Sequence, residues 1–174
     1  MKKISGLLLI LVITSVSQLS SAQGVKKLPI GKSGCSLYVY CDMKFDASKS
    51  PDSSMVYAGE CQKEDITYGI ICVQLVNPPE TLLMAEDLLI SYLDFLKGNF
   101  GITKSAGYGK GHILNKNENT RGILDYWEDG EKNKWKVKAW TDGRFIGVMY
   151  VYSLKEIPGS KVDIYLDGFR VPER

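Results

Sequence analysis

The sequence is poorest in histidine: His112 is the only one in 174 residues. A Ser-His-acid triad or a Cys-His pair would have to use it, yet no Gly-x-Ser-x-Gly elbow is present, and alone it cannot build a metal cage. It stands beside Gly111 in a glycine-broken strand and reads as an exposed or satisfied loop histidine rather than a general base. Long apolar runs are missing as well. The Leu7 to Ile13 stretch is interrupted by Thr14, Ser15, Ser17 and Gln18, well short of the roughly 20 apolar residues a spanning helix needs. Also absent are a Cys-x-x-Cys pair, internal repeats and low-complexity segments.

Charge of one sign is lacking once the N-terminus is read for what it is. Lys2 and Lys3, the apolar Leu7 to Ile13 run and the small residues Ser20 and Ala22 have the layout of a secretory signal peptide over residues 1–22, cleaved near Ala22. The expected product is a secreted, soluble chain, periplasmic or extracellular. No cysteine lies near the cleavage site, so a lipid anchor there is not expected. Cleavage removes two of the 22 basic residues and none of the 20 acidic ones, leaving a formally neutral mature chain. Nucleic-acid binding needs a concentrated positive surface, and neutrality excludes it. An anionic membrane surface is disfavoured for the same reason.

About 150 mature residues suit one domain. Residues 23–34, rich in Gly, Lys and Pro, read as a flexible leader. The domain is expected over 35–174. From Cys35 to Asp46 apolar and polar residues alternate with period two, which predicts one half-buried strand. Met55 to Glu60 and Ile66 to Val76 read as further strands, the latter central because it is apolar on both parities. After Asn77, Pro78 and Pro79 the period changes. Leu82, Leu83, Leu88, Leu89, Tyr92, Leu93 and Leu96 predict an amphipathic helix over Glu80 to Lys97, ended by Gly98. A weak strand pair is expected at Thr103 to Leu114, then strands at Arg121 to Trp127, Trp135 to Thr141 and Phe145 to Tyr152, and a short helix within Pro158 to Phe169. Asp142-Gly143 predicts a two-residue hairpin turn. It sets Thr141 opposite Arg144 and divides the strands into a core face (Trp135, Val137, Ala139, Ile146, Val148, Tyr150) and a mixed face (Lys136, Lys138, Trp140, Phe145, Met149).

Read in order, these elements resemble the PsbP-like family, named for the extrinsic photosystem subunit. The resemblance spans most of Leu37 to Val171. Its most specific pieces are the helix before Phe100-Gly101-Ile102-Thr103, the Asp142-Gly143-Arg144-Phe145-Ile146 hairpin and the closing Asp167-Gly168-Phe169-Arg170. It implies an α+β fold, an antiparallel sheet with helices on both faces in an α/β/α sandwich, and a non-enzymatic binding or assembly role. It carries no site residues over. Another antiparallel sheet-plus-helix fold is the alternative, and the four cysteines depart from the family's usual pattern.

Cys35, Cys41, Cys61 and Cys72 allow three complete pairings. If the first three strands form a simple meander, Cys35 falls beside Cys61, while Cys41 and Cys72 lie more than a disulfide's reach apart. A Cys35–Cys61 bridge is therefore expected, worth ~3 to 4 kcal/mol on the chain-entropy estimate, with Cys41 and Cys72 as buried small apolar residues.

No cofactor or metal is expected. Gly107-Tyr108-Gly109-Lys110-Gly111 lacks the Gly-Lys-Ser/Thr ending of a phosphate loop and reads as a bulged strand or turn. Asp125, Glu128, Asp129 and Glu131 suggest calcium, but the spacing fails an EF-hand, and a solvated hairpin tip is the plainer reading. The candidate partner-binding face is Lys136, Lys138, Trp140 and Phe145, cations and aromatics of the kind enriched at recognition surfaces; the alternative is that the C-terminal helix covers it. The favoured function is a secreted non-catalytic domain, not an enzyme, that recognises a protein or envelope component through a sheet face. A hydrolase using surface carboxylates, such as Asp42 with Asp46 or Glu118 with Asp125, and a purely structural domain are the alternatives. Oligomeric state is left open.

Overall fold

The computed structural model describes residues 24–173; the signal peptide read at 1–22 lies outside the described residues. The chain opens with β1 (Lys26–Pro29) and β2 (Ser36–Val39), then β3 (Asp46–Lys49), β4 (Met55–Lys63) and β5 (Ile66–Gln74). Helix α1 (Leu82–Asn99) follows, then β6 (Ile102–Ser105), β7 (Gly109–Leu114), β8 (Asn117–Asp129), β9 (Lys134–Thr141), β10 (Phe145–Ser153) and α2 (Gly159–Leu166). The fold is α+β and mostly antiparallel. Eight strands form one sheet in the order β3-β4-β5-β10-β9-β8-β6, with β7 on the same flank of β8 as β6, and β1 pairs with β2 alone.

Both faces of this sheet are apolar, which explains why β5 and β10 read as continuous apolar runs rather than alternations. One face carries Ile71, Val73, Ile123, Trp127, Val137, Ala139, Ile146 and Val148 and receives Leu89, Leu93 and Leu96 of α1. The opposite face carries Ile70, Cys72, Trp140, Phe145 and Met149 and receives α2, Phe169 and the β1–β2 hairpin. Helix α1 begins where expected. Thr81 has extended backbone, and its hydroxyl accepts the Met84 N–H at 3.2 Å, an ordinary N-cap. The helix runs to Asn99, and Gly101 at φ +61° reverses the chain.

Four expectations change. The leader expected at 23–34 contains β1, paired from Lys26↔Val39 to Pro29↔Ser36. Its few apolar residues suffice, since Leu28 packs against the core and Ile30 is fully buried, and Gly31 and Gly34 supply the positive φ of the turn. The single strand expected from Cys35 to Asp46 ends at Val39 and resumes as β3. That break moves the cysteines: the bridge is Cys41–Cys61, Cα atoms 6.0 Å apart, not Cys35–Cys61. β2 pairs with β1 instead of β4, so Cys35 never reaches Cys61. Closing the loop between Cys41 and Cys61 is worth about 3 kcal/mol on the chain-entropy estimate.

The turn at Asp142-Gly143 is longer than two residues, with Thr141 opposite Ile146. Asp142 explains it. Its carboxylate accepts the N–H groups of Arg144 (2.9 Å) and Phe145 (3.0 Å) and the Arg144 guanidinium, so a side chain closes the loop in place of ladder bonds. The resulting shift of two residues leaves every side chain on its assigned face. Fourth, the acidic segment expected as a solvated hairpin tip is largely interior: Asp125, Glu128 and Asp129 are buried. Indole donors explain two of them. Asp125 accepts from Trp127 Nε1 at 2.6 Å, and Asp129 from Trp135 Nε1 at 2.9 Å.

Glu128 instead gathers lysines, accepting from Lys104 at 2.9 Å and also pairing with Lys132 and Lys134. Lys134 first, then Lys104, hold its carboxyl down at about 2. A depressed folded value means stabilisation that is present above the unfolded value near 4.5 and lost as pH falls toward 2. The Tm advantage of wild type over Glu128→Gln is expected to be constant from pH 7 to 5 and to vanish by about pH 2. A difference that grows on acidification would contradict the pairing.

Candidate functional site

The face carrying Lys136, Lys138, Trp140 and Phe145 is covered. α2 and the segment after it lie across it: Trp140 donates its indole N–H to the Leu166 carbonyl at 2.9 Å, and Trp140 and Phe145 are 2% and 5% exposed. Lys136 pairs with Asp163 and Lys138 with Asp167, each at 2.5 Å. These four side chains fasten α2 to the sheet, so they are corrected from a partner-binding face to an internal contact. The signal for this was in the sequence, in acids four residues apart on the final helix matching lysines two apart on a strand.

His112 lies on β7 opposite Gly122, and the glycines around it bring register shifts and positive φ at Gly107 and Gly111. Asp42 pairs with Lys26, and Asp46 is exposed on β3. Glu118 and Asp125 share one strand roughly 23 Å apart, from a rise of ~3.3 Å per residue. Asp125 already accepts from Ser105 (2.9 Å), Trp127 (2.6 Å), Lys97 (3.2 Å) and the Tyr126 N–H (2.8 Å). Among the described residues no three His, Cys, Asp or Glu side chains converge as a metal site. No helix of the described residues is long and apolar enough to cross a membrane.

The unpartnered surface lies on the other face. The main sheet is seven strands wide along its path, roughly 30 Å at ~4.8 Å per strand, whereas a helix is about 10 Å across. α1 packs most closely on β6, β8 and β9; beyond it Ile71 and Val73 of β5 are buried, while Val56, Ala58 and Leu75 toward the β3–β4 edge are only half-buried. Helix α1 also has a wider apolar arc than packing on the sheet requires. Ala85, Leu89, Leu93 and Leu96 point inward; Met84, Leu88, Tyr92 and Phe95 form a second stripe one residue, or 100°, around the helix. Met84, Leu88 and Phe95 are 50%, 38% and 61% exposed. Val76 and Leu83, near the start of α1, are exposed as well.

Leu88, Tyr92 and Phe95 of this stripe wall a groove of about 410 Å³ whose floor is Val56, Val73, Leu75 and Ile146. Tyr92 and Phe95 stack along it, ring centroids 6.0 Å apart. Burial above all pushes the Tyr92 hydroxyl up to about 12, so it stays protonated at physiological pH. The far wall is β3 and the turn after it, held by side chains. Asp52 accepts the Ser54 N–H at 3.2 Å and the Ser54 hydroxyl at 2.8 Å, and the Ser54 oxygen in turn accepts the Val76 N–H at 3.1 Å. Ser50 and then Ser54 hold the Asp52 carboxyl below its ordinary range. The groove thus has one helical wall, one hydrogen-bonded wall and an apolar floor. Leu88 and Tyr92 were visible in the sequence as part of a single apolar face, while Met84 and Phe95 fell outside it; an apolar arc twice the usual width was the signal for the groove.

A second depression, about 470 Å³, borders Asn99, Phe100, Asn133, Trp135 and Tyr152. Its rings are engaged with one another, Trp135 stacking on Tyr152 at 4.2 Å and on Phe100 at 5.1 Å. No protein-family model matches the chain, and no curated protein matches it.

Proposed function

We propose that the chain is an exported, non-catalytic binding or assembly domain of the PsbP-like kind, which takes an apolar helical segment of a partner protein into the groove beside α1. The observation that carries this reading is the second apolar stripe of α1, of which Leu88, Tyr92 and Phe95 stand over a preformed apolar floor. Soluble proteins rarely leave such surface contiguous and open unless something covers it. A helix laid beside α1 over the half-buried β3–β4 edge, at the usual 8–10 Å spacing, would cover these side chains in the helix-in-groove mode of recognition. A helix on each sheet face and a buried Phe169 at the end of the chain support the PsbP-like reading. The Cys41–Cys61 bridge supports folding in an oxidising compartment.

The test is capture of envelope proteins by the tagged mature chain. Leu88→Glu with Phe95→Glu is expected to weaken capture about tenfold or more, with a Tm close to wild type because both residues are exposed. Lys136→Gln with Lys138→Gln should leave capture intact. Capture unaffected by the groove substitutions, or wild-type self-association in sizing experiments that they abolish, overturns this reading.

A further inference from the structure

Two cysteines remain outside the Cys41–Cys61 bridge, and both are interior: Cys35 is 1% exposed and Cys72 is fully buried. They are distant in sequence, yet the fold brings them into one core. Cys35 closes the tight turn between β1 and β2, where the Ile30 N–H donates to the Cys35 carbonyl at 2.9 Å. Cys72 lies in the interior strand β5, beneath that turn. Several contacts seat the turn there. Gly31 lies so close to Tyr57 that a Cβ would come within 2.5 Å of its ring, and Tyr57 is the cross-strand partner of Cys72. The Ser33 hydroxyl accepts the Cys35 N–H at 3.0 Å and donates to the Ile30 carbonyl at 2.7 Å, so the turn that carries Cys35 is closed over this part of the core.

We propose that Cys35 and Cys72 are oxidised to a second disulfide when the chain folds in an oxidising compartment, fastening the β1–β2 hairpin to β5 at the centre of the sheet. Each thiol loses its proton and the two sulfurs join. The two electrons reduce the disulfide of the oxidant, glutathione disulfide in the test tube or an oxidising dithiol-disulfide protein at export, to a pair of thiols. Both side chains are packed into the same buried core cluster where the hairpin meets β5, which supplies the proximity such a bond needs first. The neighbouring Cys35 thiol and then burial hold the Cys72 thiol well above its ordinary pKa. Little thiolate is therefore available in the folded chain, and the bridge forms while the hairpin is still docking.

The experiment is refolding of the mature chain in a glutathione redox couple, then denaturation with an alkylating reagent and no reductant. The proposal expects no alkylated cysteine, a mass four hydrogens below the reduced chain, and a Cys35 peptide joined to a Cys72 peptide. Two alkylated cysteines, or Cys35 joined to Cys41 or Cys61, overturn it. The double variant Cys41→Ser with Cys61→Ser isolates the second pair. One remaining bridge supports the proposal and two free thiols contradict it; if this variant does not fold, the wild-type peptide map decides. None of these outcomes depends on the groove or its partner.

Discussion

Replacing Trp140 with alanine is expected to lower the unfolding free energy by about 3–5 kcal/mol, the usual cost of emptying a buried tryptophan site. That is a large share of the 5–15 kcal/mol typical of a whole domain. Trp140 is 2% exposed and donates its indole N–H to the last carbonyl of α2, Leu166. Its ring also packs against Gly122 of the neighbouring strand, where a Cβ would come within 2.2 Å of it. Removing the ring therefore opens a cavity under α2 and frees that helix's C-terminal end. Urea unfolding should show the midpoint falling with m unchanged. Trp140→Phe keeps most of the packing but orphans the Leu166 carbonyl, at about 1–3 kcal/mol. A loss below about 1 kcal/mol for the alanine variant would mean that α2 is not anchored through this residue.

Asp125→Leu is expected to cost about 3–5 kcal/mol for a different reason, the loss of one partner from a buried ion pair. Its carboxylate is fully interior and faces Lys97, whose side chain is only 17% exposed. Without it the Lys97 ammonium keeps Asp94 at 3.5 Å and the Tyr108 hydroxyl at 2.9 Å, while the Trp127 indole and Ser105 hydroxyl lose their acceptor. Asp125→Asn retains an oxygen for those two donors and should cost clearly less. The ordering Leu worse than Asn, read from Tm, separates lost charge and hydrogen bonding from lost volume. Equal losses would contradict the network.

What the sequence made legible follows from periodicity. The strand expected at 121–127 extends over Asn117–Asp129, and the helix expected at 80–97 runs through Gly98 to Asn99. The strands at 66–76, 135–141 and 145–152 appear close to their expected limits, because each carries enough apolar residues for its repeat to stand out. β1 did not. Four residues with one inward leucine give no period, and lysines and glycines that hold an exposed hairpin resemble those of a mobile leader. The break after Val39 was hidden because alternation persists through Tyr40 to Phe45 while the chain leaves its ladder, and the disulfide expectation failed with it. The buried acids were hidden for another reason: Asp125 and Asp129 are made tolerable by indoles that only the sheet register brings within reach. Both faces of β9 and β10 were correctly divided, yet the division could not say that the face with Lys136, Lys138, Trp140 and Phe145 would be covered by α2 and that the free surface would be on α1.

Site-specific photo-cross-linking in the intact envelope tests most directly whether the groove beside α1 receives the proposed partner. A photoreactive residue in place of Phe95 should give a discrete adduct with one protein through a helical peptide, lost when Leu88→Glu is added, and the same residue in place of exposed Ile164 on α2 should give none. Adducts from position 164 with none from position 95 would contradict the account.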